Sequence, residues 1–227
     1  MPDYSLTYWP IPFRGHFIRF PLAAAGASWD ETGFNTTAAT KSAPLPDQPT
    51  PFMAPPLLQD HSTGTALSQM PAIAMYLGRR HGLSTDPNLE LRLLCDASDI
   101  LFEITRTHGA QMWDRPSWAE FRADRLPRWM QIHEALIDAP AAGFLSGNAP
   151  MLADLTLAAL WHTMIDRLPP LRADLTAHAP RLTALVDRVA ATPAIAALLA
   201  TWATRDPVYC AGQIEASLLD MLERDKS

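Results

Sequence analysis

The chain is poor in cysteine, with two in 227 residues, Cys95 and Cys210. They lie far apart and form no Cys-x-x-Cys pair. That excludes a disulfide framework and the thiolate sets of structural zinc, and each cysteine is expected to be a small buried apolar residue. Basic residues are in deficit, 18 Lys and Arg against 24 Asp and Glu, for a net charge of −6. The basic face that sequence-independent nucleic-acid binding requires is therefore excluded. No apolar run reaches the ~18 residues of a membrane span. The start, Met-Pro-Asp-Tyr, lacks the apolar stretch of a signal segment. No histidine spacing suggests a metal site. A soluble cytoplasmic protein with no metal, membrane or nucleic-acid partner is the expectation.

What is present is an ordinary globular balance, 48% hydrophobic and 19% charged, enough for one or two domains. Residues 4–9 alternate and carry Tyr, Leu, Thr and Trp, which predicts a strand. Residues 14–25 predict a helix bent at Pro21 and closed by Gly26. Residues 28–52 predict a second strand and then a long irregular segment. Residues 57–59 and 65–67 predict a hairpin, and residues 69–80 a helix. From Asn88 on, apolar residues recur at helical spacing, as in Leu89, Leu93, Leu94, Ala97, Ile100, Leu101 and Ile104. Further helical runs are predicted at about 117–138, 151–168, 179–200 and 212–224, with breaks at Pro169-Pro170 and Pro193. The expectation is a mixed domain over 1–81, a linker over 82–87 and an all-helical domain over 88–227.

The first 31 residues carry the chemistry. A short strand ends in Tyr8, a Pro-rich turn follows, and a helix opens with Arg14 in its first turn. Such a junction presents a phenol and free N–H groups to an anionic ligand. Tyr8 is otherwise an ordinary tyrosine ending a strand. Four segments, in order and spacing, carry a resemblance to a known family. The first runs without a gap from Tyr4 through Tyr8, Pro10, Arg14 and Arg19 to Ser28-Trp29. The second is Pro55-Pro56-Leu57-Leu58-Gln59-Asp60. The third is Gln69-Met70-Pro71-Ala72-Ile73, followed by Tyr76-Leu77-Gly78. The fourth is Ala153-Asp154-Leu155. Over essentially the whole chain this resembles the cytosolic glutathione transferases, of the tyrosine type, most like the pi class at the N-terminus.

The resemblance implies an α+β/α architecture, with a thioredoxin-like domain followed by the all-helical transferase domain. It implies that Tyr8 donates a hydrogen bond to the glutathione sulfur. An ordinary thiol of pKa near 8.5 is mostly protonated at neutral pH, so a donor aimed at the developing charge is needed. Ile11 stands where cysteine-type relatives carry their nucleophile, which removes thiol-exchange chemistry. Arg14, Pro55, Pro56, Gln69, Met70 and Glu103 fall where the family meets glutathione. Pro56 takes the cis-proline place. Pro55 has no N–H to give the tripeptide backbone, and Met70 lacks the hydroxyl of the usual serine; it serves equally as core packing. Asp99 and Glu103 share one face of a helix, either as acids for the γ-glutamyl amine or as a solvated or salt-bridged face.

Arg19 and Asp154 are expected to be structural, with the cap of the Asp154 helix half lost at Met151. His16 is expected at the surface. Trp9 and Trp113 are the expected walls of an apolar pocket, with Phe102, Met112, Trp161 and Met164 as further candidates or core. The resulting expectation is a detoxifying homodimeric enzyme that conjugates glutathione, as co-substrate, to an apolar electrophile. The alternative is a non-catalytic or weakly active binding protein on the same fold. A peroxidase or apolar-ligand carrier is the third reading.

Overall fold

The computed structural model describes residues 1–137, 143–205 and 208–224. The end of the run expected to reach 138, and residues 225–227, lie outside them. Four strands form one mixed sheet, β1 (Tyr4–Thr7), β2 (Trp29–Glu31), β3 (Leu57–Asp60) and β4 (Thr65–Ser68). Their order is β2-β1-β3-β4. β1 runs parallel to β2 and antiparallel to β3, and β3 pairs antiparallel with β4. The register sets Thr7 opposite Leu57 and Leu57 opposite Ser68. The residues that leave these strands, Tyr8, Pro56 and Gln69, therefore emerge at one end of three adjacent strands.

Helices α1 (His16–Ala24) and α3 (Met70–Arg80) pack together beside this sheet. α1 follows a 3₁₀ turn at Phe13–Gly15 and ends at Gly26, whose φ of +64° closes it. Pro21 sits inside α1 without ending it. Residues 34–42, expected to be irregular, form helix α2 (Phe34–Ser42). Its Thr-rich sequence carries neither high helix propensity nor an apolar stripe. Tertiary contact holds it instead: Thr37, its single buried residue, donates to the Tyr8 carbonyl at 3.1 Å.

Among the described residues after 86 the regular elements are helices, with one isolated bridge between Phe144 and Gly147. α4 (Pro87–Ile104) is capped by Asp86, whose carboxylate accepts from the N–H groups of Asn88 and Leu89. Beyond it come Arg115–Glu120 and Leu126–Ala135, joined through a π-type turn at Phe121–Arg125. Next are Leu152–Leu157 and Thr163–Arg167, joined through a second π-type turn at Ala158–His162. Leu171–His178, which the sequence did not signal, follows the Pro169-Pro170 break. Pro180–Ala190, Pro193–Ala203 and Gly212–Arg224 complete the set. Among the described residues no single helix is long and apolar enough to cross a membrane.

The helical core closes on Trp161, which is fully buried and donates to His133 Nδ1 at 2.8 Å. That donation makes Nδ1 the acceptor, so Nε2 carries the proton and faces Asp96 at 3.4 Å. Burying each large apolar side chain of this core contributes about 1.5–3 kcal/mol. The Asp154 carboxylate, also buried, accepts from Met151 N–H at 3.0 Å and from Leu145 N–H at 2.8 Å. One acid thus ties the start of its helix to the preceding loop, although Met151 supplies no hydroxyl.

The sheet-bearing and helical parts meet closely at Gly78. A Cβ placed there would lie 2.5 Å from Leu152 Cδ2. The Gly78 carbonyl also accepts from Leu83 and Ser84, and Leu152 N–H donates to Leu83 O at 2.8 Å. Glu90, fully buried, accepts from Ser84 Oγ and from the N–H groups of Thr85 and Asp86. The connection between the two parts is thus pinned along its length.

Candidate active site

Tyr8 follows β1 directly and is 2% exposed. Its hydroxyl oxygen accepts the Arg14 N–H at 3.1 Å. A phenol that accepts from the backbone still has its own proton to donate. Burial pushes the Tyr8 pKa up to about 12, against the opposing influence of Arg14 and Arg19. At neutral pH the group is therefore a protonated donor and not a base.

The loop beyond Tyr8 is held from beneath by Arg19. This guanidinium is fully buried. It makes a two-pronged pair with Glu31 at 2.8 Å on each prong, and donates to the Ile11 carbonyl at 2.8 Å. It also lies 4.3 Å from the centre of the Trp202 ring. Gly15 makes room for it: a Cβ there would come within 2.6 Å of Tyr8 Cδ1 and would strike the Arg19 guanidinium. His16 is buried, not at the surface, because α1 is covered on two faces. The Trp202 ring from the helix Pro193–Ala203 packs against the imidazole edge-on at 5.0 Å. Burial, reinforced by Arg19, drives the His16 pKa well below its usual value.

A cavity of about 260 Å³ opens in front of Tyr8, with Trp9, Arg14, Pro55, His108 and Cys210 among its walls. Arg14 is half-buried, and burial lowers its pKa. His108 is shifted down by burial and by Arg14, so it is uncharged at neutral pH. A larger cavity of about 790 Å³ shares Trp9, Ile11, Cys210 and Ala211 with the first. Its remaining walls include Phe34, Arg205 and Val208. Phe34 is 60% exposed, a large apolar side chain facing open space.

The structure thus brings Tyr8, Trp9, Arg14 and Pro55 to one cavity. Pro55-Pro56 is a cis peptide. Gln69 and Met70 start α3 at the same end of the sheet but do not line the cavity. The Gln69 side chain is exposed at a φ of +74°, and the Met70 side chain is buried in the core. The first N–H groups of α3 have no intrahelical acceptor and face out from that end. Glu103 and Trp113 line a different cavity. Glu103 is bound by the Arg125 guanidinium and by Trp129 Nε1. Trp113 is turned inward, its indole N–H donating to Ile104 O at 2.9 Å. Trp161 and Met164 are fully buried core residues, and Phe102 and Met112 are exposed. Cys95 is exposed, contrary to expectation, and Cys210 half-buried. The Cys210 thiol donates to Glu215 at 3.2 Å, and burial raises its pKa strongly.

Thr105, His108, Cys210 and Ile214 carried no sequence signal. They come from segments that only the fold brings to Tyr8. The Glu215 carboxylate gathers the N–H groups of Tyr209, Cys210 and Ala211 within 2.7–3.2 Å and so fixes this last wall.

Residues 89–221 match the family model described as glutathione S-transferase, C-terminal domain. Over 202 residues the chain is 28% identical to hematopoietic prostaglandin D synthase of Gallus gallus, covering 87% of this chain and 95% of the relative. It is 27% identical over 202 residues to glutathione S-transferase P 1 of Xenopus laevis, covering 88% and 92%. Its fold is similar to the solved structure of rat hPGDS complexed with a quinoline, with a TM-score of 0.67 at 22% identity, over 88% of this chain and 97% of that one. A sheet of order β2-β1-β3-β4 followed by this helical array, with the family model matched across more than half its length, settles the lineage: the chain belongs to the glutathione S-transferase family.

Proposed function

We propose that the protein is a glutathione transferase that conjugates glutathione to an apolar electrophile. The observation that carries this reading is the Tyr8 hydroxyl. It is held by the Arg14 N–H, stays protonated, and opens on a cavity that also holds the Arg14 side chain. A thiol brought there meets a donor aimed at its sulfur, in surroundings where such a donor acts strongly. Arg14 suits a carboxylate of the tripeptide. The Pro55 carbonyl serves its backbone, and Gln69 with the N–H groups opening α3 serves its γ-glutamyl end. The electrophile takes the adjoining larger cavity, between Trp9, Phe34 and the 208–212 segment. A homodimer in the cytoplasm, with a detoxifying role, completes the proposal, as family membership suggests.

The test is Tyr8→Phe. The variant should raise the thiol pKa of bound glutathione by about 1–2 units. It should cut turnover of an activated aryl chloride by roughly 10–100-fold, as expected for loss of one anion-stabilising donor. Unchanged turnover would remove Tyr8 from the chemistry. A second reading, a binding protein without turnover, is favoured by Pro55, which has no N–H, and by Met70, whose side chain is buried. Calorimetry separates the two: micromolar glutathione binding with turnover supports the enzyme, and binding no tighter than millimolar supports the second.

A further inference from the structure

The larger cavity beside Tyr8 is lined for the most part by uncharged groups, among them Trp9, Ile11, Phe34 and Val208. Trp9 and Phe34 form an aromatic pair in it, with ring centres 5.1 Å apart. Among its described walls Arg205 is the single charged side chain. In such a cavity the apolar area supplies affinity, and the few placed polar groups set orientation and selectivity. The charge on Arg205 therefore bears on which electrophiles the cavity takes.

Arg205 is held in place but its charge is unspent. Its guanidinium lies 4.0 Å from the centre of the Trp202 ring. Trp202 is buried, and the Arg19 guanidinium lies 4.3 Å from the same ring centre. The two cations on this one ring are used differently. Arg19 is committed to Glu31 and to the Ile11 carbonyl. Arg205 makes no hydrogen bond or ion pair among the described residues. Stacking on an aromatic ring steadies a guanidinium without consuming its N–H donors. The free donors form a planar fork that matches a carboxylate. No other charge competes in this cavity. Arg14 and His108 line the smaller one. His108, which ends a run of three left-handed residues from Arg106, is uncharged at neutral pH. Glu215 lines neither cavity; it is buried and bound by the N–H groups of Tyr209, Cys210 and Ala211.

We propose that Arg205 is a specificity-determining residue, which selects, among apolar electrophiles, those carrying a carboxylate away from the reacting carbon. This rests on the transferase reading of the Tyr8 cavity, although the contact with the acid does not itself need turnover. The carboxylate takes no part in the exchange of bonds. The thiolate sulfur supplies the electron pair of the new C–S bond, and the leaving group departs with the pair of the bond that breaks. A contact so far from the reacting atoms is equal in ground state and transition state. It lowers KM and does not change kcat.

The test uses two aryl chlorides with the same reactive ring, N-(4-chloro-3-nitrobenzoyl)-β-alanine and its terminal carboxamide, each with glutathione and the full chain. The acid should show a KM about tenfold or more below that of the amide, with kcat values within about twofold. In Arg205→Gln the ratio of the two KM values should fall to within about twofold of unity. Arg205→Lys, which keeps the charge and loses the fork, should restore part of it. Arg92→Gln, on α4 and outside both cavities, should leave the ratio as in wild type. Raising the salt from about 20 mM to about 500 mM should shrink the ratio severalfold, because Arg205 is exposed. Should Arg205→Gln fail to fold, this salt dependence decides. Equal KM values in wild type, or a ratio that persists in Arg205→Gln, would overturn the proposal even with full turnover. If neither chloride is turned over, the transferase reading falls, and calorimetry with the same two compounds decides the role of Arg205. Tighter binding of the acid, lost in Arg205→Gln, supports it, and equal binding overturns it.

Discussion

At the scale of single residues the site turns on how two guanidinium groups are used. Arg14 faces the cavity, whereas Arg19 is spent wholly on the protein, on Glu31, the Ile11 carbonyl and the Trp202 ring. Arg19→Lys keeps the charge but loses the fork. It should cost about 2–4 kcal/mol in urea unfolding, since it leaves the half-buried Glu31 carboxylate half-paired and the buried loop carbonyl without its donor. The phenol gives a sharper measurement. The folded pKa of Tyr8, about 12, lies above the ordinary 10. The stability that comes from keeping the phenol neutral is therefore complete below pH 10 and drains away as pH rises toward 12. Ultraviolet difference titration of the wild type against Tyr8→Phe should show this phenolate appearing only near pH 12. Pro55→Val restores one N–H and should tighten glutathione up to about tenfold, which calorimetry reads directly.

Tyr8, Trp9 and Arg14 were legible as a group because strand, proline turn and helix start are adjacent in sequence. His108 and Cys210 were not, because nothing local marks a residue that reaches the cavity from 100 or more positions away. Cys95 misled through composition alone. The apolar phase of α4, Leu93, Leu94, Ala97, Ile100 and Leu101, leaves position 95 on the outer face with Leu91 and Asp99.

At the scale of elements, periodicity found the helices that bury a stripe and missed those held by other means. α2 has one buried residue and rests on a hydroxyl bond to the Tyr8 carbonyl. The left-handed turn after α4 has no sequence code beyond Gly109, since its other members are ordinary L-residues. The β3–β4 turn shows the opposite case, where local chemistry decides. Asp60 loses solvent on burial, yet bonds from Ser62, Tyr76 and Thr63 overcome that and hold its pKa at about 2. Its stabilising share is present above the usual carboxylate pKa and is lost as pH falls through about 2. Asp60→Asn should therefore be destabilised at pH 7, and its deficit should shrink as the thermal melts move from pH 4 toward pH 2. Gly78→Ala tests packing between elements. The added methyl would meet Leu152, and overpacking of this kind costs about 1–3 kcal/mol. A urea midpoint within error of wild type would show that Leu152 moves aside freely.

At the scale of the whole molecule, the division into a sheet-bearing part and a helical part could be read from the change of hydrophobic period near residue 88. The seam between them could not, because it depends on who faces whom. Gly78 against Leu152, and Arg19 against Trp202, are contacts between residues that share no local pattern. Trp202 lines neither cavity itself, though Arg205, a wall of the larger one, stacks on its ring at 4.0 Å. Trp202→Leu should cost about 2–4 kcal/mol and lower the aryl-chloride turnover by loosening the Tyr8 loop and that wall. Full turnover in that variant would confine the role of Trp202 to stability.

The stacking of Arg19 on Trp202 also bears on how the protein is born. The ribosome makes the Tyr8 loop early, but one face of the guanidinium that steadies it stays bare until residue 202 has been synthesised. A nascent chain can build the sheet and still lack a finished Tyr8 loop. Activity should then arise late and in one step, when the closing helix settles onto α1, with little gradual gain as the chain lengthens.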